Sequence, residues 1–503
     1  MGRKRCIIDS LSRRGTRAFA ALCGVAALLG LLIWLLFFKS VGPRAPSQAL
    51  LAASEGLTDY RVELRLLPEE SALAITETIQ YHNGTGETLS SLTLRTWLNA
   101  FRSEDTSPAA LEELYDACYP DGFSPGGMTV YNVEWNGEAA EHRYVNDDAT
   151  ALEIDIPALK PGESGTLFFR CLASIPHCAY RTGYAAGCWQ LGNVLPLLSV
   201  YEDGAWRTDT YAPVGDPFVS ECANFHVSLS VPEGYAPACS AYLTKEKDGI
   251  WRGELLAARD VALCVYERAT VASGKVGNTL ILSYAATDAE AKRALEDAKK
   301  ALQTFSELYG AYPYPAFSLC EADFPFSGME YPALCMIGKG QYLRDKADSL
   351  ELTVAHEAAH QWFYGLVGSD GVNQPWQDEA LCEYVVLRYA GKRYGQGSFE
   401  ALKYYRVDAA MMENVPGSLT PGSPITYFSN YQDYRTVVYG RGAALLLALD
   451  EFLPEGTDAF LRAYAEEFAF RYVTRRQFEG FLNGYSGQDA GPLLLDYLDT
   501  VMQ

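Results

Sequence analysis

The 503-residue sequence lacks the features that mark several large functional classes. It has no internal repeat, no low-complexity tract and no glycine-rich phosphate loop, which argues against a repeat scaffold or a P-loop nucleotide site. Basic residues are scarce, with 41 Lys and Arg against 63 Asp and Glu. Seven of the basic residues and one of the acids lie in residues 1–39, so the remainder carries a net charge of −28. This acidity argues against nucleic acid as a partner.

Histidine is also scarce, and two of the six histidines, His356 and His360, lie four residues apart. A helix places such a pair on one face, about 6 Å apart, and Zn²⁺ with bonds of about 2.1 Å can join them. No Gly or Pro interrupts residues 349–364, which favours a helix. Asp348 and Glu351 offer a capping pair for its first turn.

Two glutamates complete a hydrolytic zinc site around this pair. Glu357 follows the first histidine, where its carboxylate can remove a proton from an attacking water without ligating the metal. Glu379 follows His360 by nineteen residues, and it falls in the first turn of a second predicted helix that begins at Pro375 and ends at Gly391. A catalytic zinc needs three protein ligands and one open position. The sequence therefore predicts one Zn²⁺ per chain, bound by His356, His360 and Glu379.

The stretch His356-Glu357-Ala358-Ala359-His360 with Glu379 resembles the aminopeptidase N family of gluzincin zinc metallopeptidases. Ser327-Gly328-Met329-Glu330-Tyr331 is similar to the family's Gly-x-Met-Glu-Asn motif, with Tyr331 in place of the asparagine. Tyr439-Gly440-Arg441-Gly442 is similar to its Tyr-x-Lys-Gly segment.

The resemblance implies roles for four residues outside the zinc ligands. Gly328, Met329 and Glu330 would bind substrate, with Glu330 pairing with a free α-ammonium group. Tyr439 would stabilise the oxyanion. Two simpler interpretations stay open, namely a structural carboxylate at Glu330 and a packing aromatic at Tyr439.

The N-terminal region predicts a membrane anchor. Residues 1–17 form a basic tail, and residues 18–38 contain 21 residues without a charge, enough to cross a bilayer as a helix. The basic tail predicts a cytoplasmic N-terminus and a catalytic domain outside the cytoplasm, in a single-pass protein of the cell membrane. The alternative is a cleaved signal peptide. Residues 39–57 read as a linker.

The remainder predicts an α+β fold of two domains. Residues 58–270 show alternating apolar positions between Gly, Pro and Asn turns, which indicates an all-β saddle or sandwich with a long irregular loop at residues 100–130. Residues 271–503 are predicted to form a mixed α/β domain resembling thermolysin, with an amphipathic helix over residues 287–309. Ten cysteines follow the anchor, and they are either paired or buried as thiols.

The predicted function is zinc-dependent removal of N-terminal residues from peptides outside the cytoplasm. Two alternatives remain: a zinc endopeptidase, or a non-catalytic peptide-binding component of a membrane complex. The preferred residue and the oligomeric state cannot be read from the sequence.

Overall fold

The computed structural model describes residues 42–343, 347–415 and 417–501. The predicted basic tail and the predicted membrane segment at residues 18–38 lie outside these ranges. Within the ranges, no helix is long and apolar enough to span a membrane. The second half of the predicted linker holds helix α1, Gln48–Ser54, which is capped by Ser47 and buries Leu50. Leu50 belongs to the main hydrophobic core of the described residues.

Strands fill the N-terminal part of the chain from residue 59 to residue 285. They are β1 Asp59–Leu67, β2 Ala72–His82, β3 Leu89–Arg95, β4 Gly127–Trp135, β5 Glu138–Ala139, β6 His142–Tyr144, β7 Ala151–Leu159, β8 Ser164–Ser174, β9 Thr182–Ala185, β10 Cys188–Leu191, β11 Leu197–Leu198, β12 Tyr201–Glu202, β13 Ala205–Trp206, β14 Ala223–Ser230, β15 Ala236–Cys239, β16 Thr244–Lys245, β17 Trp251–Ala258, β18 Leu263–Tyr266, β19 Thr270–Val276 and β20 Thr279–Ala285.

These strands form an eight-stranded sheet in the order β16-β17-β14-β1-β2-β8-β4-β5 and two four-stranded sheets, β15-β18-β10-β9 and β11-β3-β7-β6. The alternation read from the sequence is present in β1, where Tyr60, Val62 and Leu64 are buried between exposed polar residues. All ten cysteines of the described residues are buried free thiols. The β-rich prediction for this part is confirmed.

The predicted loop at residues 100–130 is more ordered than expected. It holds the end of a 3₁₀ helix, Trp97–Arg102, a second 3₁₀ turn, Pro108–Ala110, and the short helix α2, Tyr115–Cys118. Its last residues belong to β4. The sequence signal was weak here because short 3₁₀ turns have no long hydrophobic period.

The C-terminal part combines one mixed sheet with helices. The remaining strands are β21 Ala316–Ala322, β22 Gly328–Met329, β23 Leu334–Gly338, β24 Val367–Ser369 and β25 Arg471–Val473. The helices are α3 Asp288–Tyr309, α4 Ala347–Ala359, α5 Trp376–Tyr394, α6 Gln396–Lys403, α7 Ala409–Met412, α8 Tyr431–Tyr434, α9 Gly442–Phe452, α10 Gly456–Glu467, α11 Arg475–Ser486 and α12 Gly491–Leu494. Three π-helical segments, Tyr404–Asp408, Arg435–Arg441 and Leu495–Asp499, follow α6, α8 and α12, and 3₁₀ turns occur at Pro68–Glu70, Lys339–Tyr342 and Ile425–Tyr427.

The mixed sheet has the order β19-β20-β21-β23-β22, with β22 at its edge. Helix α3 begins at its cap Thr287, as its apolar period predicts, and contacts both β19 and β20. Two helix ends differ from the prediction. Helix α4 ends at Ala359, five residues before the end of the uninterrupted stretch, and α5 continues past Gly391 to Tyr394. Gly391 is internal because it packs against Phe399, where an added Cβ would lie 3.2 Å from the neighbouring Cβ.

Glu351 links the helix that carries the histidines to two neighbouring helices. Its carboxylate accepts hydrogen bonds from the Tyr389 hydroxyl at 2.6 Å and from Lys300 at 3.0 Å. Its side chain therefore joins α4 to α5, the two helices that carry the predicted zinc ligands, and to α3.

Candidate active site

The three predicted zinc ligands meet at one point between α4 and α5. His356 lies in the last turn of α4, and His360 directly follows its end, with its backbone N–H 3.4 Å from the His356 carbonyl. The four-residue spacing therefore still places both rings together, at 4.8 Å between centroids. Glu379 lies in the first turn of α5, as predicted.

The donor atoms of these residues form a nearly regular triangle. His356 Nε2 lies 3.1 Å from His360 Nε2 and 3.2 Å from Glu379 Oε2, and His360 Nε2 lies 3.3 Å from the same oxygen. Tetrahedral ligands with bonds of about 2.05 Å are separated by about 3.3 Å. The triangle therefore fits a zinc ion without rearrangement, with one coordination position left for a fourth ligand.

A carboxylate contacts the Nδ1 atom of His360 directly, and a second carboxylate lies near the Nδ1 atom of His356. Asp378 Oδ1 lies 2.5 Å from His360 Nδ1, and Glu383 Oε2 lies 3.6 Å from His356 Nδ1. Glu383 is in turn held by both its oxygens, at 2.9 and 3.0 Å from Arg406 Nη1. The Asp378 contact fixes the imidazole tautomer of His360, so that its Nε2 faces the metal. The sequence analysis did not identify Asp378, Glu383 or Arg406 as part of the site.

Arg406 reaches Glu383 from the π-helical segment Tyr404–Asp408 that interrupts the α6–α7 helix. The second π-helical segment packs against it at Gly440, where an added Cβ would lie 2.3 Å from the Ala410 side chain and 2.7 Å from the Arg406 carbonyl. Only glycine fits this contact. One π-helical segment thus supplies Arg406 to Glu383, and the segment packed against it carries Tyr439.

Glu357 and Glu330 lie beside the triangle. One oxygen of each and a nitrogen of His360 all lie within 4.8 Å of one another. Gly328 allows this arrangement, because an added Cβ would lie 2.2 Å from Glu357 Oε1. Burial, with neighbouring carboxylates adding to it, raises the pKa of Glu357 to about 8 and that of Glu330 well above its usual range. So many buried carboxylates with so few cations favour a bound divalent ion.

Tyr439 lies on the π-helical segment Arg435–Arg441. Its ring stacks on His356 with centroids 5.6 Å apart and an angle of 13° between the planes. Burial raises the pKa of its hydroxyl well above the usual value, so the group stays protonated as a donor at neutral pH. Tyr434 packs edge-on against it and lies over Gly215, and the charge of Glu379 adds to burial in raising the pKa of the Tyr434 hydroxyl.

The structure thus gathers seven of the eight predicted site residues around one centre. The eighth, Met329, is buried, and its backbone pairs with Met336 in the edge strand β22. The β-rich part contributes a further charged pair that sequence reasoning missed. Asp216 pairs with the buried Arg181, and the charge of Asp216 raises the pKa of both Glu330 and Glu357.

Comparison with known proteins agrees with this geometry. A family model described as "Peptidase family M1 domain" matches residues 293–497. Leukotriene A-4 hydrolase of Xenopus laevis is 29% identical over 199 residues, which is 38% of this chain and 32% of that protein. Leucine aminopeptidase 2 of Lodderomyces elongisporus is 27% identical over 231 residues, 39% of this chain and 34% of that protein. The chain thus spans about a third of the length of these curated relatives.

Solved structures extend the likeness in fold over most of the chain. The M1 zinc metallopeptidase from Deinococcus radiodurans superposes with a TM-score of 0.63 at 20% identity, over 89% of this chain and 94% of that one. Native yeast LTA4 hydrolase superposes with a TM-score of 0.63 at 17% identity, over 89% of this chain and 68% of that one. The β-rich and helical parts therefore share the M1 peptidase architecture.

Proposed function

Because the chain belongs to the M1 family of zinc metallopeptidases, with the zinc cofactor that membership implies, we propose that it is an aminopeptidase. It would hydrolyse the first peptide bond of peptides with a free N-terminus. We further propose that these peptides lie outside the cytoplasm, which rests on the anchor predicted at residues 18–38.

The observation that carries the proposal is the position of Glu330. Its carboxylate is buried beside Glu357 and His360, and within the described ranges no Lys or Arg forms an ion pair with it. The α-ammonium group of a bound substrate would supply a cation to pair with the Glu330 carboxylate. An ammonium bound there leaves room for only one residue before the scissile bond, because Glu330 and the proton acceptor Glu357 are neighbours.

The chain's own groups cover the remaining steps. Zinc, when bound, supplies Lewis acidity to the scissile carbonyl and to water. Glu357, buried beside Glu330 and His360, accepts the proton of the attacking water and returns one to the leaving amine. Tyr439 donates its hydroxyl hydrogen to the developing oxyanion. The free edge of β22 offers backbone groups to an extended substrate.

The test is a matched pair of substrates offered to the full-length, zinc-loaded protein in detergent: aminoacyl fluorophores with a free amine, and the same compounds N-acetylated. We expect turnover of the free-amine compounds only, and loss of that turnover in Glu357→Gln. Cleavage of acetylated peptides would indicate an endopeptidase instead. Absence of all turnover with one zinc bound per chain would favour a peptide-binding component.

A further inference from the structure

Tyr331, which stands where the family motif has asparagine, connects the substrate-binding segment to the β-rich part of the chain. The side chain is fully buried, and its hydroxyl donates a hydrogen bond of 2.8 Å to Asn193 Oδ1. The Asn193 amide in turn donates to Asp260 Oδ2 at 2.9 Å. The other Asp260 oxygen accepts from the Val261 backbone N–H at 2.6 Å. Every polar group in this chain of contacts is therefore paired.

The backbone that receives the hydroxyl has a specialised shape. An added Cβ on Gly192 would lie 1.9 Å from the Tyr331 hydroxyl oxygen, so only glycine leaves space for the ring. The next residue, Asn193, has a positive φ of 52°, which is unfavourable for most side chains. Gly192 thus leaves the space for the tyrosine ring, and Asn193, a residue type that tolerates this conformation, presents its side chain to the hydroxyl.

The backbone after Glu330 is held from the opposite side by the zinc-binding segment. Gln361, the neighbour of His360, donates from Nε2 to the Tyr331 carbonyl at 3.1 Å. Its Oε1 accepts from the Ala333 backbone N–H at 2.8 Å. Glu330 therefore precedes a residue whose carbonyl is fixed to the zinc-binding segment and whose side chain is fixed to β10 and the turn that follows it.

We infer that Tyr331 is a positioning residue. Through Asn193, its hydroxyl lets the β-rich part set how far Glu330 extends toward the substrate's ammonium group, and hence how strongly a free amine is preferred. The inference rests on the proposed function, because it assigns a consequence to the role of Glu330 in that reaction. It concerns the recognition of the amine and leaves the zinc ligands untouched.

The expected effect follows from the sensitivity of a close ion pair to placement. Tyr331→Phe leaves the buried Asn193 Oδ1 without its donor and removes the attachment of the segment to Asn193. Displacement of a positioned group by about 1 Å costs about 100-fold. We expect a loss of 10- to 100-fold in the preference for a free amine, with a higher KM for free-amine substrates and a smaller change in kcat.

The experiment measures binding separately from turnover on the full-length, zinc-loaded protein. The probes are an amino-acid hydroxamate, which binds zinc and carries a free amine, and its N-acetyl derivative. The inhibition constant of the acetylated probe divided by that of the free-amine probe reports the contribution of the amine. In Tyr331→Phe this ratio should fall at least 10-fold, while the constant for the acetylated probe should stay unchanged because the zinc site is intact.

Tyr314→Phe is the matched control. The buried Tyr314 hydroxyl donates a hydrogen bond of 2.8 Å to the Ala257 carbonyl, so this substitution removes an equivalent hydrogen bond elsewhere in the protein. Its ratio should equal that of the wild type. Asn193→Ala keeps the tyrosine and removes the acceptor of its hydrogen bond, so it tests the same contact if Tyr331→Phe does not fold. Its ratio should fall as in Tyr331→Phe. The double variant should show no further loss.

A wild-type ratio retained in Tyr331→Phe or in Asn193→Ala, even with lower thermal stability, would overturn the inference. That result would make the hydroxyl a structural contact only. A ratio near one already in the wild type would instead overturn the proposed function, and the inference with it. The two failures are therefore distinguishable.

Discussion

Asp378→Asn should weaken zinc binding more strongly than Glu383→Gln, although both variants keep all three ligands. The reason is the difference between the two contacts. Asp378 Oδ1 lies 2.5 Å from His360 Nδ1, whereas Glu383 Oε2 lies 3.6 Å from His356 Nδ1. The first distance is that of a short charge-assisted hydrogen bond, and the second lies beyond hydrogen-bond range.

The magnitudes follow from these distances. Loss of a carboxylate that orients a metal-binding histidine typically costs 10- to 100-fold in metal affinity. We place Asp378→Asn near the upper limit, about 100-fold or 2.7 kcal/mol, because it removes a full negative charge from a buried, direct contact. Glu383→Gln should cost about 10-fold or less, and much of that should arise because Arg406 loses its paired carboxylate.

The assay is competition for zinc between the metal-free, full-length protein and a chromophoric chelator at constant pH and ionic strength. Lys403→Gln is a matched control: it breaks the Lys403–Asp408 ion pair, 2.8 Å long, in the helix that carries Arg406 but away from the ligands. Its affinity for zinc should equal that of the wild type. Equal affinities for the wild type and Asp378→Asn, or the reverse order of the two carboxylate variants, would refute the reasoning.

Three further results are expected. Arg259 is buried and donates to the carbonyls of Ser220, Tyr364 and Arg471, so Arg259→Met should lower the free energy of unfolding by about 3–5 kcal/mol, measured by denaturant titration; an unchanged midpoint would contradict this. Burial raises the pKa of Asp260 to about 7, so the free energy of unfolding of the wild type should fall as pH rises from 5 to 8. Over that range the free energy of unfolding of Asp260→Asn should rise by about 3 kcal/mol relative to that of the wild type. Parallel pH profiles of the two proteins would count against the raised pKa. Tyr439→Phe should lower kcat by about 100- to 1,000-fold with little change in zinc affinity, and a kcat within threefold of the wild type would remove its assigned role.

The zinc triangle could be predicted because its geometry is almost entirely local. Two histidines four residues apart need only one turn of helix to meet, and Glu379 needs only the start of the next helix. For this reason the predicted zinc ligands were correctly placed together although the predicted end of the first helix was wrong. Although α4 stops at Ala359, the His360 N–H still lies 3.4 Å from the His356 carbonyl, which preserves the spacing.

The supporting residues could not be predicted, because their contacts depend on the tertiary fold. Arg406 reaches Glu383 from a π-helical segment, and no periodic pattern in the sequence signals such a segment. Asn193 meets Tyr331 across 138 residues of sequence. One signal was present: Tyr331 departs from the family motif, and such a departure beside a functional residue indicates a different partner for that side chain.

The most direct test of the aminopeptidase account is the order in which a defined peptide is shortened. An unlabelled ten-residue peptide with a free N-terminus is incubated with the zinc-loaded, full-length protein, and the products are followed by mass spectrometry over time. We expect a ladder of peptides that lose one residue after another from the N-terminus, and no reaction with the N-acetylated peptide. Internal fragments that appear first, from either peptide, would contradict the account.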